Sequence, residues 1–317
     1  MRKDLKQAEF LASFDQFMSS RSMARSTRAN YSVLRGALVR FGFCNGGALP
    51  SLGLFSADMV DAFARFYAAE PKEGLFVTRS HNTVCSIMRC LRTFFNWCVR
   101  RDLLCCNPFV RCSVSLVERY STPYYLTLQE RELVAGHCFP ADSSLGVQRD
   151  IFIFQCLVGC RVSDLMNLTS DNIIGDCLEY VPLKTVASVG GTVVRVPLHP
   201  QAIRISMRYA GSDPHGRLLP FIDPQRYNYA IKAILRECGL VRTVTVQRRR
   251  SGELVRMPIC DVASSHLARR TFIGNLYKKV KDPCLISSLT GHAEGSRAFS
   301  RYRTIDDDIK REIIMML

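Results

Sequence analysis

Apolar residues recur three or four positions apart through the first third of the chain. This spacing places them on one side of a helix, so it predicts amphipathic helices separated by loops that contain Gly or Pro. The four predicted helices are Leu5 to Met18, Ser26 to Phe41, Ser56 to Tyr67 and Arg79 to Arg100. We therefore expect the first part of the protein to be helical.

The fourth predicted helix shows the clearest division into two faces. Its apolar stripe includes Leu91 and Phe94, whereas Arg79, Arg89 and Arg92 lie largely off the stripe. Arginines in such positions form either a solvated face or a phosphate contact, since a guanidinium pairs with phosphate through two donors. These arginines are candidate polyanion-binding residues, and the solvated interpretation remains open.

The pattern changes after Asn107-Pro108. Residues Phe109 to Pro123 show no sustained period and end in Ser-Thr-Pro, which is typical of a segment between domains. We expect a helical domain at 1–110, a linker at 111–123 and a second domain at 124–317.

The second domain is predicted to begin with helices and to continue with strands. Thr127, with Glu130 nearby, marks a helix start, and the apolar run from Val147 to Leu157 predicts another helix. Two β-rich segments follow, Cys177 to Leu183 and Thr192 to Leu198. A turn-like sequence separates them, so we expect them to pair as a hairpin.

A second extended pair flanks a basic turn. Arg248, Arg249 and Arg250 lie between Val241 to Gln247 and Glu253 to Met257, and we predict that this turn contacts a phosphate backbone. Helices are expected at about 263–280, 283–289 and 306–314. The predicted fold class is therefore mainly α with small β elements (α+β), and the second domain is mixed but mostly helical.

Charge and cysteine content narrow the possible partners. The net charge is +15, and Lys and Arg exceed Asp and Glu in both predicted domains, which favours a protein that contacts a long polyanion with both of them. Nucleic acid is the leading partner. The 14 cysteines include no Cys-x-x-Cys pair, so we expect reduced thiols that pack in the core rather than a disulfide framework or a zinc site.

Targeting signals are not evident in the sequence. The N-terminal residues alternate charged and apolar side chains and lack the features of a signal peptide. The longest strongly apolar stretch, Ile151 to Cys160, is about half the length that crosses a bilayer. We therefore expect a cytoplasmic protein with no membrane partner.

One short motif has side chains suited to phosphate chemistry on a single helix face. His266 and Arg269 are three residues apart in Ser-His-Leu-Ala-Arg. A guanidinium offers a planar fork of donors to two phosphate oxygens, and an imidazole beside it can transfer a proton. Alone, the motif is weak evidence, and a surface histidine beside a solvated arginine is the simpler interpretation.

Four further positions have the same ambiguity when each is taken alone. Arg161 follows the apolar helix in GCRVSDL, Lys184 ends the first hairpin strand, His292 follows a glycine in LTGH, and Tyr302 lies between two arginines in SRYR. The structural alternatives are an arginine paired with Asp164, a solvated lysine, a histidine at a tight turn and a packed tyrosine.

Taken together, the order and spacing of these residues resemble the tyrosine recombinase (phage integrase) family. The resemblance extends from about residue 126 to the end, through GCRVSDL, the hairpin lysine, HLARR, LTGH and SRYRTID. The stretch Asn82 to Pro108 looks like the helical core-binding domain of that family, which binds DNA. The chain is similar to compact two-domain members without an arm-binding domain.

The resemblance implies a catalytic role for six residues. Arg161, Arg269 and His292 would hold the scissile phosphate, and Tyr302 would attack it to form a 3′-phosphotyrosyl bond. Lys184 would protonate the departing 5′-oxygen, and His266 would assist proton transfer. The resemblance implies neither a cofactor nor a metal. Its partners would be double-stranded DNA with specific recombination sites, three further copies in a homo-tetramer and, in some systems, accessory DNA-bending proteins.

Two positions depart from the family pattern. His292 and Tyr302 are ten residues apart, where the family's usual gap is nine, and Gly295 and Ser296 lie between them. Asp164 stands where the family commonly has Glu.

The resemblance also leaves the detailed function open. Integrases, invertases and chromosome-dimer resolvases share this length. The alternatives are a non-cutting DNA-binding protein on the same fold and a type IB-like topoisomerase.

Overall fold

The computed structural model describes residues 2–69, 79–140, 143–184, 186, 192–248, 251–280, 282–291 and 314–315. The chain divides into two compact units. The first comprises the residues up to Tyr120 together with Gln247–Leu254, and the second comprises Ser121–Val246 and the residues from Val255 onward. The sequence pattern does not predict that Gln247–Leu254 group with the first unit, since they lie far from its other residues along the chain.

Four long helices form the first unit, close to the bounds that the apolar period predicts. They are α1 (Arg2–Ser19), α2 (Arg25–Cys44), α3 (Ala57–Ala69) and α4 (His81–Arg100). Their apolar stripes meet in a core rich in aromatic rings, in which the ring centroids of Phe14 and Phe94 are 4.9 Å apart. Ser80 caps α4 by accepting a hydrogen bond from the Thr83 N–H.

Residues 113–119, which the sequence places in the linker, are fixed to the first unit. The carboxylate of Asp61 on α3 accepts hydrogen bonds from the backbone N–H of Ser113 and Val114. The side-chain amide of Asn82 donates to the Arg119 carbonyl at 2.7 Å and accepts from the Arg119 N–H at 2.9 Å. These contacts satisfy backbone groups that have no helix or sheet partner, which is why the segment is ordered without periodicity.

The second unit is mainly helical with small antiparallel sheets, as the sequence predicts. Its longer helices pack around α6, which is buried along most of its length. The helices are α5 (Leu128–Gly136), α6 (Leu145–Val158), α7 (Val162–Leu165), α8 (Pro200–Arg208), α9 (Pro224–Glu237), α10 (Ile259–Val262), α11 (Ser265–Val280) and α12 (Pro283–Thr290).

The predicted hairpin is present. Strands β2 (Cys177–Tyr180) and β3 (Val194–Pro197) pair antiparallel, with Tyr180 opposite Val194. The second predicted pair is also present as β4 (Thr243–Gln247) and β5 (Leu254–Pro258). A short strand, β1 (Ile173–Ile174), adds to the free edge of β2 and is not predicted from the sequence.

Helices α8 and α9 are also missing from the sequence prediction. Both begin with proline at the first helical position, which suits a helix start because that position needs no N–H partner. Asp223 accepts hydrogen bonds from the N–H groups of Gln225 and Arg226, and a ring nitrogen of His199 accepts one from Gln201. The cap-and-proline pair was therefore the available signal.

Within the described residues, no helix is long and apolar enough to span a bilayer.

Candidate phosphate-binding site

A sharp turn between α6 and α7 places Arg161. Helix α6 ends at Gly159, whose φ of +67° is left-handed, and Arg161 then begins α7 as its N-cap residue. A side chain at position 159 would collide with the ring of Phe272 on α11, so glycine is needed for both backbone angle and space. The turn and α11 are consequently in close contact.

Arg269 projects from α11 into this contact. Its side chain is almost fully buried, at 1% exposure. Nη1 donates to the Gly159 carbonyl and Nη2 donates to the Thr290 carbonyl, both at 2.8 Å. A guanidinium can make these two bonds at once because its donors form a rigid fork. Arg269 therefore ties the turn after α6 to the end of α12.

Arg161 lies close to the carbonyl of Gly291, the residue that follows Thr290. Its Nη2 lies 3.5 Å from the Gly291 carbonyl, at the long end of hydrogen-bond distance, and its side chain is 24% exposed. The Asp164 carboxylate is 3.9 Å from Nη1, close enough for an ion pair but too far for a hydrogen bond. The two arginines thus converge on the successive carbonyls of Thr290 and Gly291.

Lys184 is connected to this site through its neighbour. Asp164 accepts a hydrogen bond from the Leu183 N–H at 3.0 Å, and Leu183 precedes Lys184. Lys184 itself is exposed and lies four residues after the end of β2. Gly291 has a φ of +61°, and a Cβ there would lie 2.9 Å from both Pro182 and Val194, so the end of α12 packs directly on the hairpin.

His266 is the remaining described candidate. It lies one turn before Arg269 on α11, as the three-residue spacing predicts, and it is exposed whereas Arg269 is buried. His292 and Tyr302 lie outside the described residues, as does the predicted helix 306–314 apart from residue 314. His292 directly follows Gly291 in the chain.

The site carries net positive charge. Burial raises the pKa of the Cys160 thiol to about 12, and burial likewise raises the pKa of the Tyr180 phenol, so both groups are neutral near pH 7. Among the described residues, the two guanidinium groups face one carboxylate, that of Asp164, and Lys184 adds a positive charge one residue after Leu183. Such a surplus favours binding of an anion.

Three buried polar atoms of the site have no hydrogen-bond partner among the described residues. They are Nη1 of Arg161, Oδ2 of Asp164 and the hydroxyl of Tyr180. Buried donors and acceptors are usually paired, and unpaired ones concentrate where a ligand or a moving group takes the bond. The pattern of the sequence did not single out Tyr180. Its position four residues before Lys184, on the strand that leads to that lysine, was the available signal.

The candidate polyanion-binding arginines of the first unit differ in their surroundings. Arg79 donates to the Tyr67 carbonyl at 2.7 Å, and Arg89 pairs with Glu118 at 2.7 Å, so both have internal partners. Arg92 and Arg248 are exposed, and their guanidinium groups have no partner within the described ranges. Arg249 and Arg250 fall outside those ranges.

Comparison by sequence gives no matching protein-family model and no matching curated protein. Comparison by structure gives several matches. The Tn1549 transposon integrase in complex with circular intermediate DNA has a TM-score of 0.67 and 15% identity, over 96% of this chain and 98% of that chain. A lambda integrase dimer bound to a COC′ core site has a TM-score of 0.65 and 17% identity, over 94% and 95%.

A third match is the XerH site-specific recombinase bound to its difH substrate before cleavage. It has a TM-score of 0.56 and 17% identity, over 90% of this chain and 78% of that chain. All three proteins are tyrosine recombinases. At these identities the likeness establishes the fold of the chain.

Proposed function

We propose that this chain, which has the tyrosine recombinase fold, is a site-specific DNA recombinase that cuts and rejoins strands through a 3′-phosphotyrosyl intermediate. The observation that carries the proposal is the convergence of Arg161 and Arg269 on the carbonyls of Thr290 and Gly291. The two arginines are 108 positions apart in the sequence. His292, the third proposed phosphate-binding residue, follows Gly291 directly.

The first step is the exchange of one phosphate ester for another. In our proposal the Tyr302 oxygen attacks the phosphorus in line, the new bond to Tyr302 forms, and the bond to the 5′-oxygen of the DNA breaks. Lys184 gives its proton to that 5′-oxygen, and His266 receives the proton that Tyr302 loses. Arg161, Arg269 and His292 offset the charge that develops on the two non-bridging oxygens.

The second step reverses the first with a different strand. The 5′-hydroxyl of a partner strand gives its proton to Lys184 as its oxygen bonds to phosphorus, the bond between phosphorus and the Tyr302 oxygen breaks, and His266 returns a proton to Tyr302. The number of phosphate ester bonds is unchanged in each step, so the exchange needs no external energy source.

The remaining features support a DNA substrate. Both predicted domains are basic, and exposed guanidinium groups such as Arg92 and Arg248 suit contact with backbone phosphates. We propose that the first unit binds duplex DNA, that the active assembly is a tetramer on two duplexes, and that the protein acts in the cytoplasm. Accessory DNA-bending proteins would be needed only where the site arrangement requires them.

The test is recovery of DNA covalently linked to the protein. Cells that express the wild type or Tyr302→Phe are lysed directly in denaturing detergent, and the DNA that remains attached to protein is sequenced. We expect the wild type to yield ends at a small set of related sequences. Tyr302→Phe should bind the same DNA without forming an adduct, because phenylalanine has no oxygen to attack phosphorus.

Controls and alternatives have distinct outcomes. Tyr229→Phe removes the hydroxyl of an exposed tyrosine in the second unit and should form the adduct normally. An adduct with Tyr302→Phe would show that another residue is the nucleophile. Binding without any adduct would favour a non-cutting DNA-binding protein. Adducts at many sequences, with relaxation of supercoiled DNA and no new genomic junctions, would favour a topoisomerase.

A further inference from the structure

A buried glutamine interrupts the apolar run of α6 immediately before the arginine turn. Gln155 is 0% exposed, among neighbours such as Phe154 and Leu157 that are apolar and buried. Burying an amide without hydrogen-bond partners is costly, so the bonds of Gln155 are expected to matter. Its backbone carbonyl, its side-chain Nε2 and its side-chain Oε1 are all bonded.

These bonds hold the turn at two successive residues. The backbone carbonyl of Gln155 accepts from the Gly159 N–H at 2.9 Å. Its side-chain Nε2 donates to the Cys160 carbonyl at 3.1 Å. Gln155, which lies one helical turn earlier, therefore holds both the N–H of Gly159 and the carbonyl of Cys160.

Tyr227 on α9 orients the glutamine amide. Its hydroxyl donates to Gln155 Oε1 at 3.1 Å, and its side chain is 0% exposed. The ring packs edge-to-face on Phe221 with centroids 4.8 Å apart, which limits its movement. Burial raises the pKa of the Tyr227 phenol well above its ordinary value, so the hydroxyl keeps its proton and remains a donor.

The turn that Gln155 holds also positions Arg161 and Arg269. The Gly159 carbonyl accepts from Arg269, and Arg161 follows two residues later. Arg161 also accepts, at its own carbonyl, the hydrogen bonds of the Asp164 and Leu165 N–H groups that begin α7. A displacement of the turn would thus move both guanidinium groups and Asp164 together.

We propose that Gln155 and Tyr227 are positioning residues for the phosphate-binding arginines, through the buried relay from the Tyr227 hydroxyl to the Gln155 amide to the Cys160 carbonyl. This inference rests on the proposed function for its catalytic consequence. The relay touches neither DNA nor the reacting atoms. Its effect is to fix the geometry of Arg161 and Arg269 before DNA binds.

The principal test compares two single-hydroxyl deletions. Tyr227→Phe removes one donor to Gln155, and the matched control Tyr209→Phe removes a donor to Asp150 at 2.8 Å in the same unit, far along α6 from the turn. The DNA substrate is a duplex carrying a site found by adduct sequencing, with a nick that traps the covalent product. Single-turnover adduct formation is measured at saturating DNA, together with DNA affinity.

We expect Tyr227→Phe to slow adduct formation about tenfold, because small displacements of catalytic groups are costly to rate, with DNA affinity unchanged. Tyr209→Phe should leave the rate unchanged even if it lowers thermal stability. Equal rates for Tyr227→Phe and wild type, with both folded at the assay temperature, would overturn the proposal. So would a slowing of equal size in Tyr209→Phe.

A second measurement does not depend on cleavage. Amide hydrogen exchange reports the turn through the N–H groups of Gly159, Asp164 and Leu165, which are all bonded across it. We expect these amides to exchange about fivefold faster in Tyr227→Phe and at the wild-type rate in Tyr209→Phe. Gln155→Met, which fills similar volume without polar atoms, should show the same local change.

The two measurements separate the possible failures. If the wild type forms no adduct with any DNA, the proposed function fails, and hydrogen exchange then decides whether the relay holds the turn. If the wild type forms the adduct and Tyr227→Phe changes neither rate nor local exchange, the relay has no positioning role. A variant that exchanges faster across the whole second unit, rather than at the turn, would also contradict the proposal.

Discussion

Asp164 Oδ1 accepts a hydrogen bond from the Leu183 backbone N–H at 3.0 Å, so the carboxylate that faces Arg161 also fixes the residue before Lys184. Arg161 and Lys184 come from different elements, one from the turn after α6 and the other from the hairpin. A single carboxylate therefore links the proposed phosphate-binding group to the proposed acid. The leaving oxygen and the non-bridging oxygens belong to the same phosphate, so phosphoryl transfer requires the groups that contact them to be positioned together.

Replacement of Asp164 should affect both roles. We expect Asp164→Ala to slow adduct formation about 10- to 100-fold, because Leu183 loses its acceptor and Arg161 loses its counter-charge. A substrate with sulfur at the leaving 5′-position needs no acid, since a thiolate is a good leaving group. This substrate should rescue Lys184→Ala fully and Asp164→Ala only in part. Full rescue of Asp164→Ala would show that the carboxylate acts on Lys184 alone.

Arg269 should be irreplaceable by lysine. The ammonium of Arg269→Lys cannot donate to both the Gly159 and Thr290 carbonyls, so we expect the free energy of unfolding to fall by about 2–4 kcal/mol. Urea unfolding of the whole protein measures this change. Arg204→Lys is the matched control, since Arg204 is exposed with no side-chain partner in the described part of the chain. Equal midpoints for the two variants would refute a structural role for the Arg269 fork.

Gly291→Ala tests the close packing of α12 on the hairpin. The variant introduces an unfavourable left-handed angle and places a Cβ 2.9 Å from Pro182 and Val194. Gly239→Ala is the control, because Gly239 has a φ of +71° and a Cβ added there would meet no atom within 4 Å. We expect a loss of about 1 kcal/mol for Gly239→Ala and roughly 2–4 kcal/mol for Gly291→Ala, measured by urea unfolding. Similar losses would mean that the hairpin yields to the added methyl group.

Acid stability should depend on the buried Asp213–Arg217 pair. The Arg217 guanidinium donates to both oxygens of Asp213, whose side chain is 2% exposed, and this lowers the pKa of Asp213 from 3.8 to about 2. A lowered folded-state pKa stabilises the protein above pH 3.8, and the contribution is lost as the pH falls through about 2. The stability difference between wild type and Asp213→Asn should therefore be constant above about pH 4 and shrink towards about pH 2. Urea midpoints across this range measure it, and a difference that grows on acidification would contradict the assignment.

Local patterns were enough to predict much of the fold. The apolar period gives α1 to α4 within a few residues because each helix buries one continuous stripe in the same core. The β2–β3 hairpin follows from two β-rich segments that are separated by a turn-like sequence. The sequence pattern does not predict helices α8 and α9, because proline at their first position looks like a loop signal when its cap is overlooked.

The candidate site was predictable as a set of residues but not as an arrangement. The order of Arg161, Lys184, His266 and Arg269 is visible in the sequence, whereas the carbonyls that hold the arginines belong to segments distant in the chain. The apolar period places Gln155 within an apolar helix, and its partner Tyr227 lies on a helix that the sequence does not predict. Interactions between distant segments depend on tertiary packing, which no local period encodes.

Basic residues usually influence both the salt dependence of DNA affinity and the reaction rate, and the burial of Arg269 separates these two quantities. Exposed cations attract duplex DNA by displacing its condensed counterions, so they set how steeply affinity falls with added salt. A guanidinium already enclosed by protein carbonyls displaces few ions and loses little side-chain entropy when DNA arrives, because folding has already ordered it. If the protein binds DNA as proposed, the salt dependence of its affinity should be set by surface groups such as Arg92 and Arg248 and should depend little on the buried Arg269.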